Sequence, residues 1–393
     1  MQYRQVGNHR PLSILGFGCM RFPRKGTKID LAETEREIRR AIDSGVNYFD
    51  AAYTYPGIEE ALGTVIEHIG CRDKINIATK LPHYLIKTRE DLDQYFNTEL
   101  ERLKTDHIDY YLMHMLPDTN VWERLKKLGI EEWIEEKKSA GLIGKIGFSY
   151  HGNSVSFCQV LDCYKWDFCQ IQYNYMDENT QAGRTGLQYA AARNIPVIIM
   201  EPLRGGRLVS NLPKKAATEF KKYAPDISPA EWAFRWLYSQ PEVTVVLSGM
   251  NSIAMLEENL RIANTARIGE LTEDDHEFLR EIRDMINEKM KVPCTGCGYC
   301  MPCASDVDIP GCFNAYNIGH IDNYYQGYKA YIMCTVLRSK KSGADKCVKC
   351  GRCISKCPQG INIPEQLVHV NKYYGNFICR FIDWIIGRMY KYE

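Results

Sequence analysis

Short apolar runs alternate with amphipathic stretches over the first 270 residues. The runs cover residues 14–20, 46–50, 75–80, 108–114, 143–149, 168–172, 196–201 and 243–248. Between most of them, apolar residues recur at helix spacing, as at Leu92, Phe96, Leu100 and Leu103, and again at Leu256, Leu260 and Ala263. Eight strands separated by helices over this length predict an α/β fold, a (β/α)8 TIM barrel. A doubly wound open sheet is the alternative, and it is weakened because no glycine-rich G-x-G-x-x-G turn follows an early strand.

Punctuation along the chain supports this division. Asp30 or Thr34 can cap a helix over 35–44, and Gly45 stops it. Ser228-Pro229 starts a helix that ends near Gln240-Pro241. Thr272-Glu273-Asp274-Asp275 opens a charged helix reaching about Lys289, and Val292-Pro293 ends it because proline cannot continue a helix. The expected organisation is a barrel over 1–270, a connecting helix over 271–290, a further domain over 291–376, and an apolar helix over 377–393 expected to pack on that domain.

Composition narrows the class. The 393 residues are 45% hydrophobic and 25% charged, as in ordinary globular proteins. No uninterrupted apolar run reaches about eighteen residues, so no membrane span is expected. The start, Met1-Gln2-Tyr3-Arg4-Gln5, lacks the order of a secretion signal, and a cytoplasmic protein without a nucleic-acid partner is expected. Net charge is +1 but uneven: residues 285–393 hold 14 Lys+Arg and 8 Asp+Glu, or +6, which leaves −5 for the rest.

Eleven of the sixteen cysteines lie in that basic region, eight of them in two runs. The first is Cys294-x2-Cys297-x2-Cys300-x2-Cys303. The second is Cys347-x2-Cys350-x2-Cys353-x3-Cys357, followed by Pro358. In a long chain without a secretion signal these read as thiolate ligands rather than disulfides. The second run has the spacing that holds a cubane 4Fe–4S cluster. In two-cluster ferredoxins the fourth cysteine of each run ligates the other cluster. Cys294, Cys297 and Cys300 would then pair with Cys357, and Cys347, Cys350 and Cys353 with Cys303. Zinc needs two separated cysteine pairs, and a third cysteine in each run is surplus to that.

The first run departs from the ferredoxin pattern by closing with x2 and by placing Ala304 where a proline is usual. Cys312 or Cys334 could therefore stand in as a fourth ligand, and one cluster is the alternative to two. Val307-Asp308-Ile309-Pro310 and Ile361-Asn362-Ile363-Pro364 form a weak repeat after the two runs, separated by a mostly helical 313–338. Lys340, Lys341, Lys346, Lys349 and Lys356 would compensate anionic clusters, or form a docking face for an acidic ferredoxin or flavodoxin. Cys19, Cys71, Cys158, Cys163 and Cys169 read as small apolar residues.

In a barrel, chemistry gathers at the C-terminal ends of strands. Those ends offer Asp50, Lys80, His114, Ser149, Gln170, Glu201 and Ser248, with Tyr55 in the loop after Asp50. A phenol held near a carbonyl oxygen is a general acid, and a lysine ammonium beside it would lower its pKa from about 10. Asp50 would keep Lys80 charged, and His114 would orient the carbonyl. His83 and His151 also follow strand ends and could line the substrate pocket, although the commoner reading of each is a surface-loop histidine.

Phe49-Asp50-Ala51-Ala52-Tyr53-Thr54-Tyr55, Thr79-Lys80, Met113-His114, Gly147-Phe148-Ser149, Gln170-Ile171-Gln172-Tyr173-Asn174, Glu201-Pro202-Leu203 and Glu257-Glu258-Asn259-Leu260 resemble the aldo-keto reductases in the same order. The resemblance covers roughly residues 1–265, and the whole chain is similar to the subgroup with a C-terminal ferredoxin-like domain. It implies a catalytic tetrad of Asp50, Tyr55, Lys80 and His114. It also implies NADP or NAD bound at Ser149, Gln170, Leu203, Gly205, Gly249, Ser252, Glu258 and Asn259, and a small carbonyl or alcohol substrate. Tyr150 replaces the usual Asn, Met200 the usual stacking aromatic, and Gly249 and Met255 the usual 2′-phosphate cations. The alternative is a nucleotide-binding redox sensor or electron-transfer protein. No flavin motif is present to convert single electrons into hydride.

Overall fold

The computed structural model describes residues 1–7, 10–210, 212–294, 296, 298–357 and 359–389. Each of the eight apolar runs forms a strand: β1 (Leu15–Gly18), β2 (Tyr48–Asp50), β3 (Asn76–Leu81), β4 (Ile108–Met113), β5 (Ile143–Tyr150), β6 (Phe168–Gln172), β7 (Val197–Met200) and β8 (Val243–Ser248). They pair in parallel and in chain order, and β8 closes on β1 with Val246 opposite Leu15. The pair Tyr3–Arg4 and Leu12–Ser13 precedes β1 as a short antiparallel ribbon.

The two-residue period of a strand sorts the side chains into two layers. Tyr48, Ala78, Tyr110, Phe168, Ile198 and Val245 form one cluster that fills the barrel. Phe17, Phe49, Ile77, Tyr111, Phe148 and Ile171 belong to the larger core beneath the helices. Gly147 gives the interior room, because a Cβ there would stand 2.6 Å from Phe168 O and 2.7 Å from the Phe168 ring.

Helix starts follow short-range hydrogen bonding. Asp30, rather than Thr34, caps Leu31–Asp43 by accepting from Glu33 N, and Thr34 is buried within the helix. Ser228 caps Pro229–Tyr238 by accepting from Glu231 N at 3.0 Å. Thr272 and Asp275 form a reciprocal box at the start of Glu273–Ile286, which tightens into the 3-10 turn Asn287–Lys289.

The C-terminal part is helical, with Ile309–Ile321, Tyr324–Thr335, Ile363–Tyr374 and Phe377–Met389. It has its own core, including Phe313, Tyr328, Tyr331, Leu367 and Tyr374. The first two of these helices cross at glycines: a Cβ on Gly327 would lie 2.5 Å from Gly319 Cα. The last helix packs through buried Cys379, while Phe377, Phe381 and Trp384 are exposed. Among the described residues no helix is long and apolar enough to cross a membrane.

This helical unit sits on one side of the barrel mouth. Arg338 donates to Pro117 O and Ser156 Oγ, Ser339 Oγ to Asp118, and Arg207 pairs with Asp322. A Cβ at Gly296 (φ 72°) would collide with Asn179 O. These contacts lie after β4, β5, β6 and β7.

Candidate active site

Residues that share a strand's interior parity emerge at its end over the barrel mouth. Asp50 follows Tyr48 in this way, Lys80 follows Ala78, His114 follows Tyr110 and Leu112, and Gln170 follows Phe168. All four line a cavity of about 880 Å³. Tyr55 joins them from the loop after β2, where a tight turn (Tyr55 N to Ala52 O, 3.0 Å) leads into the helix Ile58–Ile69.

Lys80 Nζ donates to Asp50 Oδ1 at 2.5 Å and to Ala51 O at 2.6 Å. Gln170 Nε2 donates to the other carboxylate oxygen of Asp50 at 2.9 Å. Lys80 and Asp50 are almost wholly buried. Lys80 Nζ lies 5.5 Å from the centroid of the Tyr55 ring, and the His114 ring stands edge-on to Tyr55 at 6.1 Å. Thr54 Oγ1 is 3.4 Å from His114 Nδ1.

Charge states follow from burial and neighbours. Burial opposes the Lys80 charge, but Asp50 outweighs it and the ammonium pKa ends above its ordinary value. Burial, reinforced by Lys80, holds His114 well below its ordinary value, so the imidazole is neutral. Tyr55 departs from the sequence expectation. Lys80 does pull its pKa down, but burial is the larger effect and the phenol ends above its ordinary value. Spacing along a sequence carries the sign of Lys80's influence and not the depth of burial.

The residues expected at the cofactor are held as follows. Ser149 Oγ accepts from Met115 N at 2.8 Å, and Asn259 Nδ2 donates to Ser248 Oγ at 2.9 Å. Glu258 accepts from Ser228 Oγ at 2.6 Å. Leu203, Gly205 and Gly249 line the same cavity. Ser252 does not line it and spends its hydroxyl capping Ile253–Thr265. The cavity therefore runs from His114 to Asn259 with glycine walls at Gly205 and Gly249. Polar groups at both of these places, with no side chains at the glycines between them, suit a dinucleotide.

Sequence reasoning missed Arg21. Its Nη1 donates to Gly205 O at 3.2 Å, and a Cβ on Gly249 would lie 2.7 Å from Arg21 Cδ. Arg21 thus bridges two positions expected at the cofactor. The available signal was its place just past the first apolar run. Reasoning also missed the cavity's second wall, which comes from the C-terminal unit through Pro310, Asn314, Ile318, Lys329 and Met333. Neither histidine read as a surface residue is one: His83 is buried, and His151 is half-buried and lines the cavity.

The cysteine runs come together as two groups. Cys294, Cys300 and Cys357 line one small cavity. Cys353 is half-buried, which raises its pKa, and the neighbouring Cys347, Cys303 and Cys350 raise it further. Cys297 and Pro358 lie outside the described residues. Cys312 and Cys334 are turned to backbone carbonyls, Ser342 O and Tyr331 O. Among the described residues no three ligand-type side chains close on a single ion. A cubane spreads its cysteines over separate corners, farther apart than the ligands of one ion, so two looser groups of cysteines fit clusters. Gly298 and Pro310 line both the small cavity and the large one.

Comparison with known proteins agrees with this geometry. The profile of the Aldo/keto reductase family matches residues 14–284, and that of a 4Fe-4S dicluster domain matches residues 293–362. The chain is similar to "Uncharacterized oxidoreductase YqkF" of Bacillus subtilis (strain 168), 28% identical over 308 residues, or 69% of this chain and 94% of that one. It is similar to a "9,11-endoperoxide prostaglandin H2 reductase" of Trypanosoma cruzi, 26% identical over 283 residues, or 70% and 90% of the two chains. In fold it is similar to the solved aldo-keto reductase AKR11C1 of Bacillus halodurans, with a TM-score of 0.59 at 24% identity, covering 72% of this chain and 96% of that one.

Proposed function

The chain belongs to the aldo/keto reductase family and carries a 4Fe–4S dicluster domain, and we propose that it reduces a small aldehyde or ketone, or oxidises the matching alcohol, with NADP or NAD as cofactor. The observation that carries this reading is the buried Lys80–Asp50 pair set 5.5 Å from the Tyr55 ring, with neutral His114 in the same cavity.

The bound dinucleotide would supply or accept the hydride. Ser149, Gln170 and Asn259 would hold it, with Arg21 at its phosphates. Tyr55 gives its proton to the carbonyl oxygen as the alcohol forms. A phenol with a raised pKa keeps that proton ready at neutral pH. Lys80 then stabilises the phenolate left behind, and Asp50 fixes Lys80 in place and in charge. Neutral His114 donates an N–H to the same oxygen. If Thr54 donates to Nδ1, Nε2–H is the donor that faces substrate.

A second reading has its own support. The cysteine group of Cys294, Cys300 and Cys357 shares Gly298 and Pro310 with the large cavity. The other group reaches the surface: Cys350 is exposed, between exposed Lys349 and Arg352 and beside Val348. That order favours single electrons passing from an acidic ferredoxin or flavodoxin toward whatever the cavity binds.

The test is steady-state turnover of a carbonyl panel by the cluster-loaded protein, purified without oxygen, with NADH and with NADPH. Tyr55→Phe should cut kcat by about a hundred- to ten-thousand-fold. Absence of turnover with every carbonyl, together with cluster reduction by a reduced carrier, would replace the reductase with the electron-transfer reading.

A further inference from the structure

Barrel strands supply only one side of the cavity. Opposite the tetrad, the wall is built by helices Ile309–Ile321 and Tyr324–Thr335 of the cluster-bearing unit. That unit is keyed to the barrel by Arg338, Ser339 and Asp322, so the wall is a fixed part of the site. Its surface toward the cavity sets apolar Pro310, Ile318, Ala330 and Met333 beside the uncharged polar Asn314 and Gln326. One cation, Lys329, lines this wall, with its side chain exposed to solvent.

Of the other cavity cations, Arg21 bonds to Gly205 O at the expected cofactor loop and the rest are paired with carboxylates. Lys80 is paired with Asp50, Arg204 with Asp177, and Arg207 with Asp322. Asp308 on the same wall is spent on Arg338 and on Gly311 N. Lys329 has no carboxylate partner among the described residues. His151 lines the same cavity, with its Nδ1 3.2 Å from Gln181 Oε1. Burial, with Lys329 beside it, drops the His151 pKa to about 4, so His151 adds no second charge.

Apolar side chains beside one ammonium without a carboxylate partner are complementary to a molecule with an apolar body and an anionic end. We propose that Lys329 is the docking cation for the carboxylate of the substrate, and that the preferred substrates are aliphatic aldehydes or ketones bearing a carboxylate at the end remote from the carbonyl. This rests on the carbonyl-reductase reading and adds to it a determinant supplied by the cluster domain.

The test uses the full, cluster-loaded chain in two arms. In the first, ω-hydroxyalkanoates of increasing length and the matching n-alkanols are titrated calorimetrically against protein holding reduced dinucleotide, where no turnover occurs. At the best length the hydroxy acid should bind at least about tenfold more tightly than the alkanol. Lys329→Met should remove that margin, Lys329→Arg should keep most of it, and alkanol affinity should not move. In the second arm, kcat/KM is compared for ω-carboxyaldehydes and n-alkanals. The carboxylate advantage should vanish in Lys329→Met while alkanal turnover stays at the wild-type level. Equal binding of acids and alkanols by wild type, or equal losses for both in Lys329→Met, overturns the proposal. If no aldehyde is turned over but the binding margin depends on Lys329, the recognition site stands and the reductase reading falls.

Discussion

Arg338 of the cluster domain donates to Ser156 Oγ of the barrel at 3.1 Å. The same guanidinium donates to Pro117 O at 3.4 Å and pairs with Asp308 at 3.3 Å, where the two side chains are 9% and 2% exposed. One buried cation therefore ties the start of Ile309–Ile321 to the loops after β4 and β5. Removing one partner of such a pair leaves an uncompensated charge, at a cost of about 3–5 kcal/mol. Arg338→Met should lower the thermal midpoint by several degrees and speed proteolysis between barrel and cluster domain. Adding Asp308→Asn should recover much of the midpoint without restoring protection, since the barrel contacts are still missing. Unchanged proteolysis in Arg338→Met would mean that the two units are held together elsewhere.

Much of the barrel was legible because a strand's period is short and local. Once Tyr48, Ala78, Tyr110 and Phe168 are placed inside, parity alone delivers Asp50, Lys80, His114 and Gln170 to the mouth. Caps were legible for the same reason, and the choice between Asp30 and Thr34 turned on which one burial left free to bond. The second wall was hidden because Lys329 and Met333 share the tetrad's cavity only through tertiary docking, and no local pattern records it. Arg21 was hidden because its role comes from Gly205 and Gly249, far along the chain. The raised Tyr55 pKa was hidden because burial belongs to the assembled site.

Proton transfer by Tyr55 carries a pH signature. Its folded pKa lies above the ordinary phenol value. The acid form therefore persists through neutral pH, and carbonyl reduction should stay level until above about pH 10. Alcohol oxidation needs the phenolate and should climb as pH rises over the same range. Lys80 is the neighbour that pulls this pKa down, so Lys80→Met should push it higher still. Oxidation near neutral pH should then fall further than reduction. The check is kcat/KM against pH in both directions. An alkaline limb for reduction well below about pH 9 would point to a different acid.

Arg21 bears on the choice of dinucleotide. It is exposed and spans Gly205 and Gly249, and the positions from which a cation would grip a 2′-phosphate hold Gly249 and Met255. On the proposed cofactor site, its bond to the Gly205 loop would set Arg21 at the pyrophosphate, which NAD and NADP share. Arg21→Met should therefore weaken both by about tenfold, the worth of one charge-assisted contact. Quenching of tryptophan fluorescence on titration with each dinucleotide measures this. A loss confined to NADPH would place Arg21 at the 2′-phosphate instead, and no loss with either would remove it from the cofactor site.

Glu37 lies far from this chemistry and sets a pH limit on stability. It sits in the helix Leu31–Asp43, fully buried, and neither carboxylate oxygen has a hydrogen-bond partner among the described residues. Burial, reinforced by Glu33, raises its pKa from 4.5 to about 7. Below about pH 4.5 the carboxyl is protonated in both folded and unfolded chains and has no effect. Between about pH 4.5 and 7 the folded chain holds a proton that the unfolded chain has lost, so stability declines as pH rises. Above about pH 7 the whole penalty, on the order of 3 kcal/mol, is in place. Glu37→Gln keeps the shape and removes the ionisation. It should raise the thermal midpoint at about pH 8 and change it little at about pH 5. Equal shifts at the two pH values would show that packing, and not the charge, is what the substitution alters.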